Sequence, residues 1–311
     1  MTTGVVLART GGTFRVHTAA GEIEAVLRGK LKHKDDDRVV AGDVVELELQ
    51  PEGAKGPASI AGVKERRSVL ARRAGTRRRL QPIAANVDQV VTVVAAADPE
   101  LNARMLDRLL VIAEANSLPA VIIVNKVELD REGEILPRLV ARYSAAGYPV
   151  LATSVKVPVG LPALRDLLAG RESVICGPSG VGKSSLLNAL QPGLNLRIGE
   201  ISNYWRTGKH TTTAAVLIPI PLGGYVVDTP GMREVATWGL DPEMLAPCFP
   251  EFRPYLDGCK FDNCRHLSEP KCAVRDAAAA GKIDPDRLAS YVKVYEEINV
   301  PAWEGEKRRG R

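Results

Sequence analysis

Apolar positions change their rhythm twice along this chain. In roughly the first seventy residues they alternate with polar ones in short runs, Phe14 to His17, Glu22 to Leu27 and Val44 to Leu49, punctuated by Gly11, Gly12, Gly21, Gly29, Gly42 and Gly53. Period two with frequent glycines predicts a small β-barrel whose size suits an OB-fold. Past residue 82 the pattern becomes apolar strand-length runs: Asp88 to Ala96, Pro119 to Asn125, Val150 to Thr153, Ser173 to Cys176 and Tyr225 to Asp228. Between them Leu101, Met105, Leu106, Leu109 and Ile112 recur at helical spacing, as do Ile135, Leu136, Leu139, Val140 and Tyr143. Strand and helix in alternation predict a parallel sheet with helices on both faces, hence an α/β fold. Beyond Trp238 the chain reads as helix and loop, and it ends in the basic segment Lys307 to Arg311. The expected division is 1–72, 73–238 and 239–311.

Composition narrows the class without changing this outline. A chain of 311 residues, 45% of them hydrophobic, buries a sizeable core and suits two or three domains. The longest strongly apolar run, Val90 to Ala97, is far short of the roughly 20 residues that a membrane span requires, and no signal-like stretch opens the chain. A cytoplasmic protein with no membrane partner is expected. Net charge is only +5, yet Lys64, Arg66, Arg67, Arg72, Arg73, Arg77, Arg78 and Arg79 face one acid, Glu65, in a short stretch. Such a run fits a polyanionic partner, or else a solvated linker. Phe14 is the sole aromatic before Tyr143, so an RNA-gripping barrel would rely on backbone charge, with Arg28, Lys30, Lys32, His33 and Lys34 as its candidate loop.

The chemistry begins at GPSGVGKS, Gly177 to Ser184, which matches the GxxxxGK[ST] phosphate loop. Such a loop needs glycines to wrap amides around a β-phosphate, a lysine for the β and γ oxygens, and a hydroxyl for magnesium. Gly177, Pro178, Ser179, Gly180, Val181, Gly182, Lys183, Ser184 and Ser185 form the candidate cradle, with Ser184 on the metal. Downstream stands DTPG, in which Asp228 would hold Mg2+ through water and the Gly231 amide would meet a γ-phosphate. Met232 follows where a polar residue often orients the attacking water, and a thioether cannot do that. The substitute is sought in KHTTT: Thr212 or Thr213 as the magnesium ligand, and His210 as the group that reaches the water, with Arg206 and Lys209 as other charge stabilisers. A lone loop histidine also suits an ordinary surface role.

Base recognition is assigned upstream, to NKVE at Asn125 to Glu128. Asn125 and the Glu128 carboxylate would bond the guanine edge while the stem of Lys126 covers the ring. Ser154 and the Val155 amide complete the pocket. Adenine lacks the two donors that a carboxylate requires there. The base-reading motif thus precedes the phosphate loop, the reverse of the usual GTPase order, so the chain reads as circularly permuted. Farther on, Cys259, Cys264, His266 and Cys272 are spaced CxxxxCxHxxxxxC, a closed tetrahedral set for one structural zinc.

These residues resemble a known family, the bacterial small-subunit-dependent GTPase RsgA, through NKVE, TSVK, GPSGVGKSSLLN, GKHTTT, DTPGMRE and CxxxxCxH with SEPKC, in that order. The resemblance implies a circularly permuted P-loop GTPase domain between an N-terminal OB-fold barrel and a C-terminal helical zinc-binding domain. It also implies GTP hydrolysis to GDP stimulated by the 30S subunit, contact with 16S rRNA late in subunit maturation, a monomer, and His210 together with Lys183 as catalytic residues. Glu128 departs from the family's usual aspartate and Met232 from its commoner phenylalanine. Two rivals stay in view: a nucleotide-switched RNA-binding scaffold with incidental hydrolysis, and an ATP-dependent kinase, which leaves NKVE without a purpose.

Overall fold

The computed structural model describes residues 2–28, 39–51, 56–74, 79–190, 215–221, 223–228 and 240–299. Arg28 is among them. Lys30, Lys32, His33, Lys34, Arg77, Arg78, Arg206, Lys209, His210, Thr212, Thr213, Gly231, Met232, Trp238 and the basic C-terminal segment lie outside the described residues.

Five strands, β1 (Thr2–Thr10), β2 (Thr13–Thr18), β3 (Gly21–Leu27), β4 (Val44–Glu48) and β5 (Ala58–Val63), close a barrel in the order β1-β2-β3-β5-β4. Its inward positions, Val6, Phe14, Val16, Ala25, Val45, Leu47 and Ile60, form one core, which is why the period-two runs were readable. β1 and β5 complete the barrel, although neither has clean alternation: β1 carries the unbroken run Val5 to Ala8, and β5 contains Gly62. A two-stranded sheet follows, β6 (Val69–Ala74) with β7 (Arg79–Ala85). It is built from the basic stretch. Among the described residues several cations of that stretch serve internal bonds: Arg66 holds the buried Asp43 through Nε at 2.7 Å and Nη2 at 2.9 Å, Arg67 Nη1 meets Asp88 at 2.6 Å, and Arg72 Nε donates to Gln81 Oε1 at 3.1 Å.

The central sheet has six strands, β8 (Gln89–Ala95), β9 (Ala120–Asn125), β10 (Val150–Ala152), β11 (Glu172–Cys176), β12 (Val216–Ile220) and β13 (Gly224–Asp228), in the order β10-β9-β8-β11-β13-β12. All pairings are parallel except β12 with β13. β12 is the strand that the apolar pattern did not announce, because Pro219 interrupts it; proline is tolerated here because β12 ends the sheet. Successive side chains of β8 enter opposite cores. Val90 and Val94 pack with Leu106 and Leu109 of α1 (Ala103–Ala115) and Leu139 and Tyr143 of α2 (Ile135–Ala145). Val91 and Val93 pack with Leu164 and Leu168 of α3 (Leu161–Leu168) and Leu186 and Leu187 of α4 (Lys183–Leu190). Helices on both faces make the sheet a buried layer, with its ligand edge at the strands' C-terminal ends.

The C-terminal unit consists of 3-10 turns (Pro242–Met244, Ala246–Cys248 and Pro250–Gly258) and two helices, α5 (Ala273–Ala279) and α6 (Pro285–Ile298). Leu245, Phe249, Phe252, Tyr291 and Val294 form its core, joined by Val111 of α1. Asp284 caps α6, its side chain accepting from the amides of Asp286 and Arg287. No helix among the described residues is long and apolar enough to cross a membrane.

Candidate nucleotide site and metal centre

β11 ends at Cys176, the chain turns through Gly177 to Gly182, and α4 starts at Lys183. Two glycines are dictated by close approach. A Cβ on Gly177, at φ +139°, would stand 2.0 Å from the Val93 carbonyl oxygen, and one on Gly182, at φ +94°, would stand 2.4 Å from Asn125 Nδ2. The loop therefore wraps against β8 and against Asn125 at the end of β9. Lys183 Nζ curls back to donate to the carbonyls of Gly177 at 2.8 Å and Pro178 at 2.6 Å. Its ammonium lies inside the loop, where loop amides and the start of α4 favour an anion. Ser184 and Ser185 sit half-buried in the first turn of α4, while Ser179 and Gly180 are exposed at the loop's tip.

Asn125 ends β9 and is 2% exposed. Its Nδ2 donates to the Val181 carbonyl at 2.8 Å, and its Oδ1 accepts from Thr153 Oγ1 at 3.1 Å. One amide thus braces the end of β9, the glycine-rich loop and the end of β10 together. By sequence Asn125 is expected at the base edge and Thr153 within the base-contacting segment TSVK; the hydrogen bond joining the two is a contact that motif spelling does not disclose. Lys126 takes a left-handed conformation, φ 58°, and Val127–Leu129 form a 3-10 turn. That turn holds Glu128 half-buried, with its Oε2 shielded from solvent and lacking a hydrogen-bond partner among the described residues. A carboxyl acceptor of this kind suits paired N–H donors.

Ser154 is fully buried. Its Oγ accepts from the Val157 amide at 3.0 Å and its backbone pairs with Val159, so the segment carrying Val155 is a small, internally bonded turn. Asp228 ends β13, where its backbone pairs with Val216. Strand ends therefore bring Asn125, Lys126, Glu128, Ser154, Val155, the phosphate loop and Asp228 to one rim. His210, Thr212, Thr213 and Gly231 cannot be placed on it, since they fall outside the described residues. Burial pushes the thiols of Cys176 and Cys248 up to about 12, so both stay protonated and pack as small apolar groups.

The other cluster lies in the C-terminal unit. Ligand atoms of Cys259, Cys264, His266 and Cys272 all fall within 4.8 Å of one another. Cys259 Sγ is 3.9 Å from Cys272 Sγ, and His266 Nδ1 lies 3.5 and 3.3 Å from those sulfurs. Zn–S bonds of about 2.3 Å in a tetrahedron give S···S edges of about 3.8 Å, so the donor set fits a metal ion through Nδ1 and three sulfurs. The loop between ligands is fixed by Glu269, whose carboxylate accepts from the amides of Arg265, Leu267 and Ser268. Those bonds outweigh the opposing effect of burial and hold Glu269 below the usual carboxylate range.

Fold and rim together define the class: a P-loop GTPase whose spatial strand order is intact while its motifs are rotated along the chain. The sequence pattern of the RsgA GTPase family matches residues 63–238. A small ribosomal subunit biogenesis GTPase RsgA of Gemmatimonas aurantiaca is 48% identical over 301 residues, covering 96% of this chain and 97% of that one. One of the same name from Bacteroides fragilis is 37% identical, covering 94% and 96%. Among solved structures, YjeQ from Thermotoga maritima superposes with a TM-score of 0.79 at 35% identity, covering 96% of this chain and 98% of that one. YloQ, a circularly permuted GTPase, gives 0.73 at 30% identity, covering 96% and 95%. The chain belongs to the RsgA GTPase family and is a GTPase.

Proposed function

We propose that the chain hydrolyses GTP during late maturation of the small ribosomal subunit, with the 30S particle and its 16S rRNA as the partner that stimulates turnover. The observation carrying this reading is the bond from Asn125 to the Val181 carbonyl, which joins base-reading and phosphate-holding residues in one site. Asn125, Lys126, Glu128, Ser154 and Val155 read the guanine; Gly177 to Ser185 hold the phosphates with Lys183; Asp228 and Gly231 face the γ end. Ser184, Asp228 and Thr212 or Thr213 would hold Mg2+, which would offset phosphate charge. His210 reaches the attacking water. Cys259, Cys264, His266 and Cys272 would hold one structural Zn2+. In this reading the protein acts as a cytoplasmic monomer, residues 1–72 and the Arg-rich stretch gripping RNA, 73–238 hydrolysing GTP and 239–311, the zinc-bearing unit, completing the clamp on the small subunit.

The test is GTP turnover with purified 30S or 50S subunits across a salt series. Stimulation by 30S alone, declining as salt rises because phosphate contacts release counterions, is the expected result. Equal stimulation by 50S would remove the partner assignment. His210→Ala should abolish stimulated turnover while 30S binding persists; unchanged turnover would take His210 out of the mechanism.

A further inference from the structure

The C-terminal unit grips α1 in its first two turns. Arg104 Nη1 stands 3.8 Å from Glu297 Oε1 near the end of α6, Arg108 donates to Glu297 Oε2, and Asp107 between them accepts from Arg287 Nη1 at 2.6 Å. Just upstream of α1, at the C-terminal end of β8, is the turn Asp98–Pro99. The Asp98 carbonyl accepts a hydrogen bond from Lys126 Nζ, and its carboxylate lies 3.9 Å from the same ammonium. Pro99 faces the tip of the phosphate loop across a gap: a Cβ added to Gly180 would lie 3.6 Å from its Cδ. Only Glu100 and Leu101 separate this turn from Asn102, which caps α1 by accepting from the Met105 amide.

A contiguous set of contacts therefore runs from α6 through the first turns of α1 to the Asp98–Pro99 turn, and from there to Lys126 on the base side. A helix is stiff along its axis, so a shift of its capped end moves the turn with it. We infer that Glu297 is a positioning residue for nucleotide binding: through Arg104 and Arg108 it sets the place of α1, and through the Asp98–Pro99 turn it sets the place of Lys126 over the base. Events at the metal-bearing unit thereby alter guanine-nucleotide affinity at a site that Glu297 does not touch. The inference rests on the reading of Lys126 as the residue that covers the guanine ring.

The experiment is a double-mutant cycle on the full-length protein, with affinity for a fluorescent GDP measured in wild type, Glu297→Lys, Lys126→Ala and the pair. Glu297→Lys should weaken GDP about tenfold, within the usual range for coupled sites, with bound metal and far-ultraviolet circular dichroism unchanged. In the Lys126→Ala background the same change should have little further effect. Charge reversal, Arg108→Glu with Glu297→Arg, should restore affinity. Equal losses in both backgrounds, or no loss in Glu297→Lys, would overturn the inference while leaving the base-site reading in place. If Lys126→Ala alone binds GDP as wild type does, the base-site reading itself falls and the inference with it. Should Glu297→Lys fail to fold, the milder Glu297→Gln, expected to weaken GDP about threefold, is put through the same cycle.

Discussion

At the residue scale the site depends on contacts too close for substitution. The 2.4 Å approach of a Cβ at Gly182 to Asn125 Nδ2 means that Gly182→Ala must displace either the loop or the amide that braces it. Guanine-nucleotide affinity should fall at least about 100-fold, or ~2.7 kcal/mol, in a fluorescence titration, with little change in the barrel's stability. Thr153→Val tests the second bond of the same amide: it removes the 3.1 Å donor to Asn125 Oδ1 and leaves that buried oxygen with one partner fewer. A loss of about 1 kcal/mol in GDP binding is expected. Affinity equal to wild type in both variants would show that the brace does not shape the site. Neither bond is legible in sequence, because motif spelling gives residue types at a rim and not which of them touch.

Elements show where the sequence spoke and where it was silent. β8, β9, β11 and β13 were readable because each buries both faces and so appears as an apolar run. β12 was hidden by Pro219 at the sheet's edge, and β6 with β7 by a charge run that reads equally well as linker. The junction between these parts holds Glu172, 8% exposed at the start of β11, whose Oε2 lacks a hydrogen-bond partner among the described residues. Burial, reinforced by the Asp88 and Asp43 carboxylates and only partly relieved by Arg67, raises its pKa from the usual 4.5 to about 8. The folded protein therefore keeps a proton that the unfolded chain releases. Stability from this group is complete below about pH 4.5, declines as pH rises and is gone above about 8. Glu172→Gln should melt at nearly the same temperature as wild type at pH 5 and higher than wild type at pH 9; parallel curves for the two proteins across that range would refute the assignment. On the other side of the molecule Arg287, 1% exposed, binds Asp107 and Glu251, each at 2.6 Å. Arg287→Met strands both carboxylates and should cost about 3–5 kcal/mol in chemical denaturation. Sequence patterning cannot announce such a pair, since its partners are 180 and 36 residues away.

For the whole molecule, the permuted order places the C-terminal unit immediately after DTPG in the chain, while ion pairs fasten it to α1 and α2 on the base-reading side. Arg142 of α2 reaches Asp284 at 3.0 Å and also Asp286, Arg253 meets Glu114, and Glu297 takes Arg108. The unit is thus linked covalently to one half of the nucleotide rim and electrostatically to the other. If the four ligands hold a metal as proposed, the unit's fold should lean on it, since closed thiolate–imidazole sites supply roughly 10–16 kcal/mol of apparent binding energy. Stripping the metal with a chelator should expose residues 240–299 to limited proteolysis while the barrel stays protected; uniform resistance would show that the unit's small core suffices. Residues scattered in rotated order along the chain are expected to hold one nucleotide. A crystal structure with a non-hydrolysable GTP analogue tests this directly: the guanine should lie against Asn125, Lys126 and Glu128, with its phosphates in the loop Gly177–Ser184. A base seated away from Asn125 while the phosphates occupy that loop would contradict it.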